Sequence, residues 1–293
     1  MTQIDKLLGF KMKIFENFKP FNMYLFNMYL FIPFFLILLL GQDCIAKTLE
    51  DTFQKRINFD KGGYLSLSNF NGTIEISSWD KLEVEIIAHK RVRASDRDTA
   101  QELLQELDIV INQGDAKIEI ETQKPRRKSG RRSFFNWLFG DGDISYSVSY
   151  ELKIPYETDL NLNTSNGNIA LENIKGQIRM HSTNGKINAR GVNGLVRCNT
   201  TNGSIRVEFE DIPLEDEISF ITTNGSIKLY LPKTYGAEVD LKTTNGKIVT
   251  DFPLTLEKQW SRNRLKGNIN GGGGELQCST TNGNIYLYYN DEI

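Results

Sequence analysis

Histidine, cysteine and proline are scarce in this chain: 293 residues hold two, three and seven of them. The two histidines, His89 and His181, lie far apart, and no His-Glu-x-x-His, Gly-x-Ser-x-Gly or P-loop pattern occurs. The usual zinc-hydrolase, serine-hydrolase and nucleotide-binding chemistries are therefore without their motifs. Charge of one sign is missing too. With 35 basic and 37 acidic residues the formal net charge is −2, and the basic excess of a nucleic-acid binder is absent. The few prolines, and glycines gathered into repeats, exclude a low-complexity chain.

Long hydrophobic runs are absent after residue 46. Before it, Lys6, Lys11, Lys13 and Lys19 precede an apolar stretch at 25–40, and Cys44 and Ala46 put small residues at −3 and −1 of a cut before Lys47. That is the layout of a secretory signal peptide. The long basic region leaves Met12, Met23 or Met28 as alternative starts. An uncleaved signal anchor is the competing reading, because the run approaches the roughly 20 residues that span a bilayer. Gln42 and Asp43 disfavour lipidation of Cys44. The expected location is outside the cytoplasm (periplasm, cell surface or medium), with anchoring by 25–40 as the alternative.

What is present is a phrase: Thr-Ser-Asn-Gly at 164–167, Ser-Thr-Asn-Gly at 182–185, and Thr-Thr-Asn-Gly at 200–203, 222–225, 243–246 and 280–283. Each copy is followed by x-Ile, and apolar residues alternate with polar ones on both sides, the period of half-buried strands. Asn166-Gly167, Asn184-Gly185, Asn202-Gly203, Asn224-Gly225, Asn245-Gly246 and Asn282-Gly283 are expected to form tight corners with positive φ. A degenerate copy sits at 64–76 with its corner at Asn71-Gly72. Self-similarity at a fixed period marks a repeat architecture. The fold class is all-β, and the expected form is a parallel β-solenoid with rungs of about 18–22 residues. An antiparallel meander or sandwich is the alternative, since Asn-Gly is also a hairpin signal. The last gap, close to two units, places a degenerate rung in 251–275.

If the rungs stack in chain order, Cys198 and Cys278 share a column with Phe220 and Leu241 between them. That separates them by roughly 14 Å at strand spacing, beyond disulfide reach, so both are expected to be buried free thiols. The reading divides the chain into a signal segment (1–46), an N-terminal β-rich cap region (47–158) and the repeats (159–293). Within the cap, strands are expected at 82–93, 108–122 and 144–154, and a helix from an N-cap at Ser95 to about Leu107.

Five pieces in order carry a family resemblance: Ile76-Ser-Ser-Trp-Asp80, the helix at 95–107, Tyr150-Glu-Leu-Lys-Ile-Pro155, the Asn-Gly series, and Gly267-Asn-Ile-Asn-Gly-Gly-Gly-Gly274. Over roughly 55–290 the chain resembles a bacterial adhesin-like family of unknown function, related to head domains of auto-transporter-like adhesins. The resemblance implies a β-helix-like fold outside the cytoplasm and no established catalytic residues.

Two segments stand outside the repeat. Lys124, Arg126, Arg127, Lys128, Arg131 and Arg132 are followed by Phe134, Phe135, Trp137 and Phe139, between two expected strands. Such a loop suits an anionic lipid surface or an anionic glycan, against the plain alternative of a solvated loop with tucked aromatics. Glu208, Glu210, Asp211, Glu215, Asp216 and Glu217 crowd the longest repeat, but their spacing does not supply the converging oxygens of a calcium site. No metal and no cofactor is expected. The partners considered are an envelope glycan, an anionic lipid or another surface protein, not nucleic acid. The expected function is an exported, non-catalytic binding scaffold. The alternatives are a membrane-anchored envelope scaffold or sensor accessory, and a carbohydrate-active enzyme drawing on residues such as Arg206, Asp240, Lys242 and Asp251.

Overall fold

Alternation along the repeats becomes pairs of strands, one in each of two sheets. A computed structural model describes residues 47–125, 144–213, 217–256, 261 and 263–290. Residues 25–40 fall outside these. No helix among the described residues is long and apolar enough to cross a membrane.

The chain opens with β1 (Lys47–Asn58), β2 (Gly63–Ser68), β3 (Ile74–Trp79) and β4 (Glu83–Ala94). Helix α1 (Arg97–Glu106) follows, then β5 (Asp108–Gly114), β6 (Lys117–Gln123) and β7 (Ser145–Pro155). The repeats supply β8 (Thr158–Asn166), β9 (Ile169–Lys175), β10 (Ile178–Asn184), β11 (Ile187–Asn193), β12 (Val196–Asn202), β13 (Ile205–Asp211), β14 (Ile218–Asn224) and β15 (Ile227–Leu231). Then come β16 (Ala237–Asn245), β17 (Ile248–Thr250), β18 (Leu254–Leu256), β19 (Arg264–Ile269), β20 (Gly274–Asn282) and β21 (Ile285–Tyr289). A first sheet orders ten strands β1-β4-β7-β3-β9-β11-β13-β15-β21-β17. A second orders eleven, β18-β19-β16-β20-β14-β12-β10-β8-β2-β6-β5.

Corresponding residues of successive repeats lie side by side in parallel register: Leu160 beside Ile178 beside Val196 in one sheet, Ile169 beside Ile187 beside Ile205 in the other. Among the described strands, antiparallel pairing is confined to β1 with β4, β4 with β7, β5 with β6, β16 with β19, and β19 with β18. The inward columns form the core. Leu160, Ile178, Val196, Ile218, Leu276 and Val239 belong to the same cluster as Ile169, Ile187, Ile205, Ile227 and Ile285, and none is more than 1% exposed. Burying each such side chain contributes about 1.5–3 kcal/mol.

Spatial order departs from chain order at both ends. The β6–β7 unit pairs outside β2–β3, so β2–β3 lies between it and β8–β9. At the other end β20 and β21 lie between β14–β15 and β16–β17. This corrects the cysteine expectation. Cys198 and Cys278 are separated by Phe220 alone, with Leu241 beyond Cys278. Two strand spacings, roughly 9.6 Å, still exceed disulfide reach, and both thiols are free and buried.

Three further expectations change. The described residues of 251–273 form no parallel rung; β18 and β19 pair antiparallel on the outer side of β16. The helix starts one residue later than expected and is capped by Asp96, whose Oδ1 accepts from the Thr99 amide at 2.8 Å, not by Ser95. Strand β1 was not anticipated, because its charges interrupt the apolar alternation.

Candidate functional site

The corner phrase resolves into three ladders. Each Asn side-chain amide donates to the Asn carbonyl oxygen of the neighbouring unit: Asn184 to Asn166 (2.8 Å), Asn202 to Asn184 (2.7 Å), Asn224 to Asn202 (2.8 Å), Asn282 to Asn224 (2.7 Å) and Asn245 to Asn282 (2.8 Å). The first hydroxyl of each phrase is buried and donates to the neighbouring glycine carbonyl: Ser182 to Gly167, Thr200 to Gly185, Thr222 to Gly203, Thr280 to Gly225 and Thr243 to Gly283, at 2.8–3.0 Å. The pattern stops at Thr164, whose Oγ1 is buried without a partner. There the Gly72 carbonyl is approached by the Asn69 side-chain amide at 3.4 Å.

The third ladder is glycine on glycine, and it corrects the reason given for this residue. Gly167, Gly185, Gly203, Gly225, Gly246 and Gly283 are not in the positive-φ region; among the corner glycines only Gly72 is, at φ 118°. They are glycine because a β-carbon on each would overlap the carbonyl of the next unit's glycine, or of Gly72 in the case of Gly167. Backbones approach too closely for any side chain. The corners therefore hold the stack together, and their Asn amides are occupied by one another.

The basic-aromatic segment begins at this same edge. It joins β6 to β7, so its flanks take the place that Asn-Gly holds in the other units. Of the ten residues singled out, Lys124 is described, its Nζ 5.0 Å from the Phe70 ring centroid. Arg126, Arg127, Lys128, Arg131, Arg132, Phe134, Phe135, Trp137 and Phe139 lie outside the described residues. In the acidic insertion, Glu215 and Asp216 also lie outside. Glu208 is paired with Arg206, Glu217 with Arg197 at 2.9 Å, and Asp211 accepts from the Ile212 amide at 2.9 Å. Glu210 accepts from the Tyr156 hydroxyl at 3.4 Å. No group of three or more His, Cys, Asp or Glu among the described residues is placed to hold a metal ion. The residues considered for catalysis are divided: Asp240 and Lys242 are in the second sheet, whereas Arg206 and the Asp251 position belong to the first.

A face that the sequence reading missed lies on the outside of the first sheet. Strand pairing puts Asn188, Arg206, Lys228, Tyr286 and Val249 in one row, and Glu208, Tyr230 and Tyr288 in the next. The Tyr286 and Tyr288 rings stack with centroids 5.6 Å apart and planes 17° apart, and Tyr230 meets Tyr288 at 5.4 Å. All three tyrosines are half-buried. Arg206 lies 4.3 Å from the Tyr230 ring centroid and donates to its hydroxyl at 2.9 Å. The Lys228 ammonium stands 5.6 Å from the Tyr286 ring, whose hydroxyl accepts from Asn284 at 2.9 Å. Desolvation first, then Tyr286, Tyr230 and Asp251, push the Tyr288 phenol above its ordinary pKa. Beside Arg206, the Asn188 Oδ1 is buried without a partner. Flat apolar rings with polar tips and charges of both signs make a surface suited to a ligand with alternating apolar and hydroxyl faces. The signal in the sequence is three tyrosines at the outward steps of two copies, which the inward columns of the repeat do not single out.

The family model described as Toastrack DUF4097 matches residues 66–288. Among solved structures, the chain is similar to a candidate cell adhesion protein from Clostridium sporogenes, with 16% identity, 83% of this chain and 100% of that chain covered, and a TM-score of 0.46. It is similar to a candidate adhesin from Bacteroides fragilis at 8% identity, covering 81% of this chain and 97% of that one, with a TM-score of 0.41. A candidate lipid binding protein from Parabacteroides distasonis aligns at 10% identity over 81% of this chain and 96% of that one, with a TM-score of 0.26. A search of the curated proteins finds no match.

Proposed function

Because this chain belongs to the Toastrack family DUF4097, we propose that it is an exported, non-catalytic β-solenoid that serves as an adhesin-like binding scaffold at the cell envelope. Each Asn-Gly unit is taken as one rung of about 18–22 residues, and the ladders at the corners as the source of its rigidity. The ligand in this reading is an envelope or extracellular glycan held on the outer face of the first sheet.

The observation that carries the reading is the tyrosine face. Tyr230, Tyr286 and Tyr288 share one exposed surface, and aromatic rings of this kind lose little rotamer freedom on binding. Around them Arg206 and Lys228 are offset by Glu208 and Asp251, so the surface does not favour an anionic membrane. Sugar hydroxyls match the tyrosine tips and the charged side chains beside them, while the apolar side of a pyranose ring matches the phenol faces.

Glycan-array binding of the wild type and of Tyr230→Ala/Tyr286→Ala/Tyr288→Ala tests this. The expected result is a defined set of glycans bound by the wild type and lost in the triple variant. Equal binding by both proteins would sink the assignment to this face. A variant lacking 124–139 run in parallel separates the two surfaces, and loss of binding there alone would move the site to the basic-aromatic segment.

A further inference from the structure

Strand β1 is an edge of the first sheet: among the described residues, nothing pairs with its far side. Edges of this kind are usually blunted by shortness, proline, bulges or charged side chains, those on the inward face included, and of these devices β1 carries charge, with Asp51 and Lys55 on the same face as Leu49, Phe53 and Ile57. Twelve residues long, Lys-Thr-Leu-Glu-Asp-Thr-Phe-Gln-Lys-Arg-Ile-Asn, β1 has no proline and pairs with β4 from end to end without a break in register. Those charges disfavour an arbitrary partner and leave the outward backbone groups open to a strand that sets opposite charges against them.

The side chains say which strand. Around Phe53 the sequence is antisymmetric in charge: Glu50 and Asp51 precede it by three and two residues, and Lys55 and Arg56 follow by two and three. A reversed copy centred on Phe53 sets Asp51 opposite Lys55 and Glu50 opposite Arg56, each pair occurring twice by symmetry. The same register sets Leu49 opposite Ile57, Thr52 opposite Gln54, and Phe53 opposite itself. Opposed residues then share a face, as an antiparallel pair requires. Leu49, Asp51, Phe53, Lys55 and Ile57 fall on the side that packs against the core, where Leu49 and Phe53 remain half-buried and Asp51 and Lys55 are exposed. Glu50, Thr52, Gln54 and Arg56 fall on the other side.

We propose that β1 is a self-pairing edge, through which two copies of this chain join as antiparallel strands about a twofold axis at Phe53. A twofold normal to the sheet allows only shifts of the register that keep each residue on its face. Moving the centre by one residue in either direction opposes Asp51 to Phe53 or to Ile57 and leaves no charge pair intact. The centred register is therefore singled out by the sequence. Within the chain, Glu50 already lies 3.4 Å from Arg91, and Arg56 donates to Glu85 at 2.7 Å; in the dimer each gains a second partner across the seam. Among the described residues Asp51 and Lys55 have no ion pair of this kind, and both are exposed. Beside the seam a groove of about 430 Å³, bounded by β1 and by Arg97, Gln101 and Leu104 of α1, leaves room for the partner's side chains. The result is isologous, one first sheet continuing into the other.

Sedimentation velocity of the purified protein tests the proposal, with Asp51→Lys and Lys55→Glu as single variants whose strand content is checked by circular dichroism. The wild type is expected to sediment as a dimer in the micromolar range, and each variant to weaken the dimer by about tenfold or more. An equimolar mixture of the two variants restores opposite charges at every step and is expected to regain the dimer. A wild type that stays monomeric, variants that dimerise as well as the wild type, or folded variants whose mixture remains monomeric would each overturn it. Amide hydrogen exchange on the wild type needs no variant. Exchange across 47–58 should slow as protein concentration rises, and concentration-independent exchange also overturns the proposal.

Discussion

A β-carbon built on Gly203 would overlap the Gly185 carbonyl, and one on Gly185 would overlap that of Gly167. Gly203→Ala is accordingly expected to destabilise by about 1–3 kcal/mol through overpacking, read as a lower urea midpoint at unchanged slope. Thr200→Val removes the hydroxyl that reaches the Gly185 carbonyl at 3.0 Å and should cost about 1 kcal/mol in the same measurement. The buried cysteines give a pH dependence. Burial pushes the thiols of Cys198 and Cys278 up, while in the unfolded chain they ionise near about 8.5. Below that pH both states hold the proton; above it the unfolded state releases it first, so stability is full below about pH 8.5 and declines above it. Tyr150, pushed up to about 12 by burial, adds to the decline from about pH 10. The urea midpoint should fall as pH rises through this window, and fall less in Cys198→Val/Cys278→Val. A flat profile would contradict the burial argument. At this scale the sequence was informative about which residues recur and misleading about why: Asn-Gly reads as a positive-φ turn, whereas the glycine answers to the neighbouring unit, a contact no single repeat contains.

The strands themselves were legible, since alternation such as Ile-Arg-Val-Glu-Phe at 205–209 admits few alternatives. Their order was not. Asn282 and Asn245 carry the same phrase, and either copy satisfies the ladder in either slot, so local pattern cannot say that β20 sits inside β16. What decides it is the β18–β19 hairpin, which occupies the outer side of β16 and leaves the vacant position on its inner side. Truncation before β20 should therefore part β16 from β14 in the second sheet and β17 from β15 in the first, and abolish cooperative unfolding of the whole repeat region, measured by denaturant titration. A shortened chain that unfolds cooperatively with only a proportionate loss would favour chain-order stacking. At the other end, Asp96→Ala removes the helix cap and is expected to cost about 0.5–2 kcal/mol. Strand β1 escaped detection because a sequence whose charges complement its own reverse carries little apolar periodicity.

Across the whole molecule, the corners and the tyrosine face divide the labour. The ladders use the very side chains that dominate the sequence, so the repeat advertises architecture and conceals function. The tyrosines occupy outward steps of the same strands, where alternation fixes the side they face and leaves their identity free. Family membership was readable from ordered motifs; the candidate site was not, because Tyr230 becomes a neighbour of Tyr288 only once β21 is placed beside β15. The most direct test sets two variants side by side against the strongest glycan found by array: Asn202→Ala at the corner, and the triple tyrosine-to-alanine variant on the face. Calorimetric titration of each, with its Tm, should show the corner variant less stable but still binding, and the tyrosine variant folded, with a Tm lowered by the loss of ring packing, but no longer binding. A folded corner variant that loses the glycan while the tyrosine variant keeps it would contradict the account.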